Sequence, residues 1–166
     1  MKTGYKTIFR ICALISIVAI QLCLFCGCGR NPPSLQSVEK MFNDNREHIL
    51  TITDYLIASE YETIYIRNTS GTMFADFQYV NIDDARVTTA VECLIEQNED
   101  IEIAKSNHTI SILLWVHSQN ISSSIARSID GTRFPTLFTP TEWTPMAEPG
   151  WYYIIEDYNK WRSEHH

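Results

Sequence analysis

The apolar residues of this chain pass from helical spacing to alternation at Ile101, and that change restricts the fold more than any other feature of the sequence. Val38, Phe42, Ile49, Ile52 and Leu56 recur at three-, four- and seven-residue intervals, and Val87, Ala90, Val91, Leu94 and Ile95 do the same. Such spacing gives each helix one apolar stripe and one core-facing side. From Ile101 onward the interval falls to two, which predicts strands over residues 101–105, 109–117 and 121–128. Residues 134–139, 142–146 and 151–156 continue the series, and Pro135, Pro140 and Pro145 point to edge or bulged strands because proline cannot donate to a ladder. An earlier strand at 63–67 meets a partner at 72–77 through the turn Asn68-Thr69-Ser70-Gly71. The order helix, hairpin, helix, meander predicts an α+β fold: an antiparallel β-sheet with a C-terminal meander and two helices packed on one face.

Helix boundaries follow from local chemistry. Ser34 and Ser37 are both suitable N-caps for a helix running to about Ser59. Asn45 interrupts its apolar stripe, so Asn43-Asp44-Asn45 marks an expected break into two shorter helices. Asn81, Asp83 and Asp84 form an acidic start for the next helix, which complements its dipole and runs to about Gln97.

The N-terminus carries a different signal. Lys2, Lys6 and Arg10 precede an apolar run from Ile11 to Phe25, followed by Cys26-Gly27-Cys28 and the polar stretch Gly29-Arg30-Asn31-Pro32-Pro33. A cationic start, an apolar core and a small residue before the cut make a secretory signal. The Gly27-Cys28 step resembles the lipobox of bacterial lipoproteins, with Phe25 where Leu is commonest and Cys26 where a small residue is usual. That resemblance implies cleavage before Cys28 and acylation of its sulfur. The competing reading is an uncleaved anchor, since the 18 residues from Ile11 to Cys28 approach the roughly 20 a spanning helix needs. The expected organisation is a signal at 1–27, a lipidated cysteine with a short tether at 28–33, and one α+β domain at 34–166. The expected location is the extracytoplasmic face of the cell membrane, held by the lipid anchor.

Cleavage would remove three of the 13 cations and no acids, so the mature chain carries ten cations against 20 acids, a charge of −10. Such a surface repels phosphate backbones and anionic headgroups, which excludes nucleic acid as a partner. Membrane attachment must then come from the lipid anchor. Cys93 is the only cysteine after Cys28, so no intrachain disulfide braces the domain and packing alone must stabilise it.

The usual sources of chemistry are scattered. His108 and His117 flank one predicted strand, roughly 30 Å apart in an extended chain, and cannot share a metal or a proton. His48 and His165-His166 lie elsewhere and complete no metal-ligand spacing. Asp83-Asp84, Glu99-Asp100 and Glu156-Asp157 are neighbours in sequence, whereas a glycosidase-type pair must face across a cleft. Ser122-Ser123-Ser124 has no nucleophile elbow around it, and Cys93 has no cationic neighbour to lower its thiol pKa. No catalytic, metal or cofactor-binding set is expected. One segment stands out, Gly150 to Ile155, apolar on both faces and followed by Tyr158 and Trp161 at helical spacing. Trp151, Tyr153, Tyr158 and Trp161 are therefore the candidate interaction surface for a protein or glycan partner. A buried central strand with a docked terminal turn is the structural alternative, and the favoured one, because apolarity on both faces is how buried strands look.

The stretches Gly71–Phe77, Val80–Ala85 and Gly150–Arg162 resemble a group of small lipoproteins from anaerobic Gram-positive bacteria. The resemblance implies export and lipid anchoring; it carries no catalytic residue and no mechanism. The expected function is a lipid-anchored cell-surface binding or interaction domain. An envelope-associated hydrolase and an accessory subunit of an envelope complex are the alternatives.

Overall fold

The computed structural model describes residues 31–98, 100–106, 108–118, 120–130 and 140–165. Helix α1 (Leu35–Asp44) begins where Ser34 Oγ accepts the Ser37 N–H at 3.3 Å, and it buries Val38 and Phe42. Helix α2 (Arg46–Ala58) follows after a break at Asn45 and buries Ile49, Ile52, Thr53 and Leu56. The break has a chemical cause. Asn45 is only 5 % exposed, so its amide needs partners inside the protein. Its Nδ2 donates to the Met41 carbonyl and to Gln97 Oε1, both at 3.0 Å, and Gln97 Nε2 donates back to Asn45 Oδ1 at 2.9 Å. The residue that interrupts the stripe thus ties the first two helices to the third.

Helix α3 (Ala85–Gln97) starts at Asp84, whose carboxylate accepts the Arg86 N–H at 2.9 Å, and it buries Val87, Ala90, Val91 and Leu94. Before it come β1 (Ile64–Ile66), β2 (Thr72–Ala75) and β3 (Gln78–Asn81). After it come β4 (Glu102–Ser106), β5 (Thr109–Ser118), β6 (Ile121–Ser128), β7 (Pro140–Pro145) and β8 (Trp151–Asp157), then a short helix α4 (Tyr158–His165). The eight described strands make one sheet in the order β3-β2-β1-β4-β5-β6-β8-β7, each neighbouring pair antiparallel. The α+β class is as expected, with the first expected helix split in two.

Two features were not anticipated. Residues 78–80 carry no expected element and Asn81 belongs to an expected helix start, but residues 78–81 form β3, paired from Thr72↔Asn81 to Ala75↔Gln78. The turn that creates this hairpin is Asp76-Phe77, with φ of +39° and +70°. Two left-handed residues are what a tight hairpin needs, yet this pair contains no glycine or asparagine to announce it. The second is the strand order: β8, not β7, lies against β6, in register from Ile121↔Asp157 to Arg127↔Trp151. The expected strand at 134–139 lies outside the described residues.

One sheet face carries the helices. Ile64, Ile66, Ile103, Ile110, Ile112, Ile125, Trp151 and Tyr153 join the buried residues of α1, α2 and α3 in one core. Phe42 meets Trp151 edge-on, with ring centroids 5.1 Å apart. A register shift between Leu113 and Trp115 lets Leu114 and Trp115 both pack on this side. The other face holds a smaller cluster, Ala126 and Ile154 beneath Trp143 and Tyr152. The sheet's two edges differ. β7 has proline at each end and touches α4, whereas β3 presents Gln78, Tyr79 and Asn81 to solvent.

Candidate functional site

The first three strands place aromatic side chains on the face away from the helices. On β1, Tyr65 lies between Ile64 and Ile66, both fully buried, so strand alternation sends its ring to the opposite side. Phe74 stands in the same relation to the buried Met73 and Ala75 on β2. The register then aligns the rings: Tyr65 pairs with Phe74, and Phe74 pairs with Tyr79 on β3. With strands about 4.8 Å apart, the three rings form a row roughly 10 Å long across the sheet. Phe74 and Tyr79 meet at 62° with centroids 5.2 Å apart, so they form a corner rather than a flat stack. Tyr79 is 80 % exposed.

A groove of about 410 Å³ runs past this row, lined by Tyr65, Arg67, Asn68, Thr72, Phe74 and Tyr79. Its size is within the usual range for a small-ligand site. Among the described lining residues Arg67 alone is charged. Its guanidinium lies 6.0 Å from the Tyr65 ring centroid and grips Glu102 on β4 with two bonds, Nη2 to Oε1 at 3.0 Å and Nε to Oε2 at 2.8 Å. The fork fixes the arginine in position and offsets its charge locally, leaving further N–H groups for acceptors. At the same end of the sheet Asn68 Oδ1 accepts from the Ser70 N–H at 3.0 Å, and Ser70 Oγ bonds Thr72 Oγ1 at 2.6 Å. Gly71, at φ +69°, completes this turn in a conformation that glycine adopts without steric penalty.

The hairpin beyond the row is held from below. Asp76 accepts from the Thr63 N–H and Thr63 Oγ1, each at 2.8 Å, and from the Glu62 N–H at 3.2 Å. These bonds, those of Thr63 foremost, hold the Asp76 carboxyl below its ordinary pKa. The next residue, Phe77, is 92 % exposed. A rigid hairpin therefore displays aromatic side chains outward instead of burying them.

The residues singled out at the C-terminus separate into two groups. Trp151 and Tyr153 lie in the core at 1 % and 4 % exposure, on the helix side of β8. The Tyr153 hydroxyl donates to the Pro33 carbonyl at 2.6 Å, which fastens the segment before α1 to the sheet. Tyr158 is at the surface and stacks on Trp161 with centroids 5.8 Å apart. Cys28 lies outside the described residues. His108 faces Asp130 at 3.1 Å, His117 stacks on Trp115 at 5.6 Å, and His48 is half-buried on α2. Among the described residues no group of three or more histidine, cysteine or acidic side chains could hold a metal ion. Burial pushes the Glu156 carboxyl above its ordinary pKa, and Ser122 Oγ lies 3.4 Å from it.

The groove was not legible as a site in the sequence. Tyr65 and Phe74 each lie between core residues, Tyr79 lies between exposed Gln78 and half-buried Val80, and only the cross-strand register brings the three together. The available signal was one aromatic per strand at the solvent phase, Tyr65, Phe74 and Tyr79, and it needed β3 to be recognised. Among the described residues no helix is long and apolar enough to cross a membrane. No family model, curated protein or solved structure matches the chain.

Proposed function

We propose that this chain is an exported, lipid-anchored binding protein that holds its ligand in the groove formed by β1, β2 and β3. The observation that carries the binding reading is the row Tyr65–Phe74–Tyr79 beside a groove of about 410 Å³. Solvent-facing aromatics are costly to keep exposed unless something covers them, and they dominate binding energetics wherever they are covered. The anchoring half of the reading rests on the cationic start, the apolar run and the Gly27-Cys28 step. Two or more acyl chains at Cys28 would hold the protein stably at the bilayer, where one would not.

Two measurements test the two halves separately. Mass spectrometry of membrane-fraction protein is expected to find an acylated Cys28 as the N-terminus, and an N-terminus at Met1 would refute the anchor. Hydrogen exchange of the full chain, with and without a crude extract of the producing cell's envelope, is expected to slow at residues 64–67 and 72–81. Unchanged exchange there, or slowing confined to other strands, would remove the groove as the binding site.

A further inference from the structure

The chemistry of the groove narrows its ligand, and the following rests on the binding reading above. The lining pairs three aromatic rings with hydroxyl, amide and guanidinium groups: Tyr65, Phe74 and Tyr79 beside Thr72, Asn68 and Arg67. The charge of Arg67 is already met by Glu102 through two bonds. An anionic ligand would have to compete with that carboxylate and approach an acidic surface, on a chain of net charge −7. A cationic ligand would find no carboxylate among the described lining residues to pair with. Charge thus favours neither sign, and the ligand that fits is neutral.

The remaining requirement is an alternation of apolar face and polar edge. Tyr65 and Tyr79 present both ring faces and phenol hydroxyls, while Thr72 Oγ1 can both donate and accept. A purely apolar ligand would leave the hydroxyl, amide and guanidinium groups desolvated without partners, which is unfavourable. A pyranose ring has the complementary form: C–H faces that lie on aromatic rings and equatorial hydroxyls that meet donors and acceptors around the rim. The roughly 10 Å row has room for two such rings side by side. The Phe74–Tyr79 corner, at 62°, gives one of them a floor and a wall. We infer that the β1–β3 groove binds a neutral, hexose-based glycan, stacked on Tyr65, Phe74 and Tyr79 and hydrogen-bonded at Arg67, Asn68 and Thr72.

Calorimetric titration of the full chain in mild detergent tests this with four probes: cellotetraose, the β-1,4-linked N-acetylglucosamine tetramer, a galacturonate tetramer and a casein digest. At least one neutral tetramer is expected to bind, and the galacturonate is not. The choice between the two neutral probes reports whether plain hexose or N-acetylhexosamine is preferred. Tyr79→Ala, at a position too exposed to threaten folding, is expected to weaken neutral binding about tenfold through loss of one stacking ring. Phe74→Leu should weaken it without lowering the melting temperature by more than a few degrees. Neutral binding that neither substitution alters would overturn the inference, because the glycan would then sit elsewhere. Galacturonate or peptide binding that Tyr79→Ala abolishes, with no neutral tetramer bound, would overturn the glycan class and leave the groove standing as a binding site. If no probe binds and the envelope extract also fails to slow exchange at residues 64–67 and 72–81, both readings fall together.

Discussion

Replacing Phe77 by glycine is expected to make the protein more stable, although it removes a large aromatic side chain. Phe77 occupies a left-handed backbone conformation, φ +70°, where a Cβ crowds the following carbonyl at a cost of about 1–2 kcal/mol. Glycine does not incur that cost, but it gives the unfolded chain extra freedom worth about 0.5–1 kcal/mol. The ring itself is 92 % exposed, so almost no buried area is lost with it. The net expectation is a gain of about 0.5–1 kcal/mol, or roughly 2–4 °C in melting temperature for a domain of this size. The substitution also produces the Asp-Gly pair that tight hairpins favour, and it leaves the Asp76 bonds to Thr63 and Glu62 in place. Urea unfolding of the full chain would measure the effect, with Phe77→Ala as the comparison. Alanine keeps the strained backbone and loses only the ring, so its midpoint should barely move. A lower midpoint for Phe77→Gly, or an equal loss for both variants, would mean that the ring is packed in solution and would refute the strain argument. A confirmed gain would indicate that this phenylalanine is kept for what it touches outside the molecule.

Trp151→Ala tests the opposite side of the sheet: truncating a fully enclosed tryptophan that also meets the Phe42 ring should cost about 3–5 kcal/mol, a large share of the total, read as a sharply lower urea midpoint. Glu156 supplies a pH dependence. Its folded pKa is raised by burial, so between the ordinary glutamate value and that raised value the folded state holds more protons than the unfolded one, and stability falls as pH increases through this window. Glu156→Gln should flatten that fall, and a slope of midpoint against pH that matches the parent protein's would show that the carboxyl is solvated.

How much could be read from sequence depended on whether a signal was local. The helix break at Asn45 was visible because a polar residue stood where the stripe required an apolar one, and the burial of Trp151 and Tyr153 was implied by a strand apolar on both faces. The partner that makes Asn45 tolerable, Gln97, lies 52 positions away and has no pattern of its own. The β2–β3 hairpin was hidden because Asp76-Phe77 adopts a glycine conformation without glycine. Without β3 there was no register to align Tyr79 with Phe74, and so no groove. The insertion of β8 beside β6 follows from tertiary pairing that no turn residue encodes. The candidate site was thus concealed for the same reason that it is informative: local preference and observed conformation disagree at Phe77.

The unlike edges of the sheet determine what happens when copies of the protein crowd together. At one end, β7 begins and ends in proline and is flanked by α4, which leaves few donors for an added strand. At the other, β3 offers the backbone of Gln78-Tyr79-Val80-Asn81 with no charge and no proline to deter pairing. Among the described strands, growth of the sheet can therefore proceed in one direction only. If a second molecule docks there by a two-fold axis, β3 against β3, each copy uses up the one adhesive edge among its described strands, and both outer ends of the joined sheet are proline-bounded β7 strands. Lateral association by this route stops at two, so an edge that would seed fibres in a sheet with two such ends here terminates its own polymerisation.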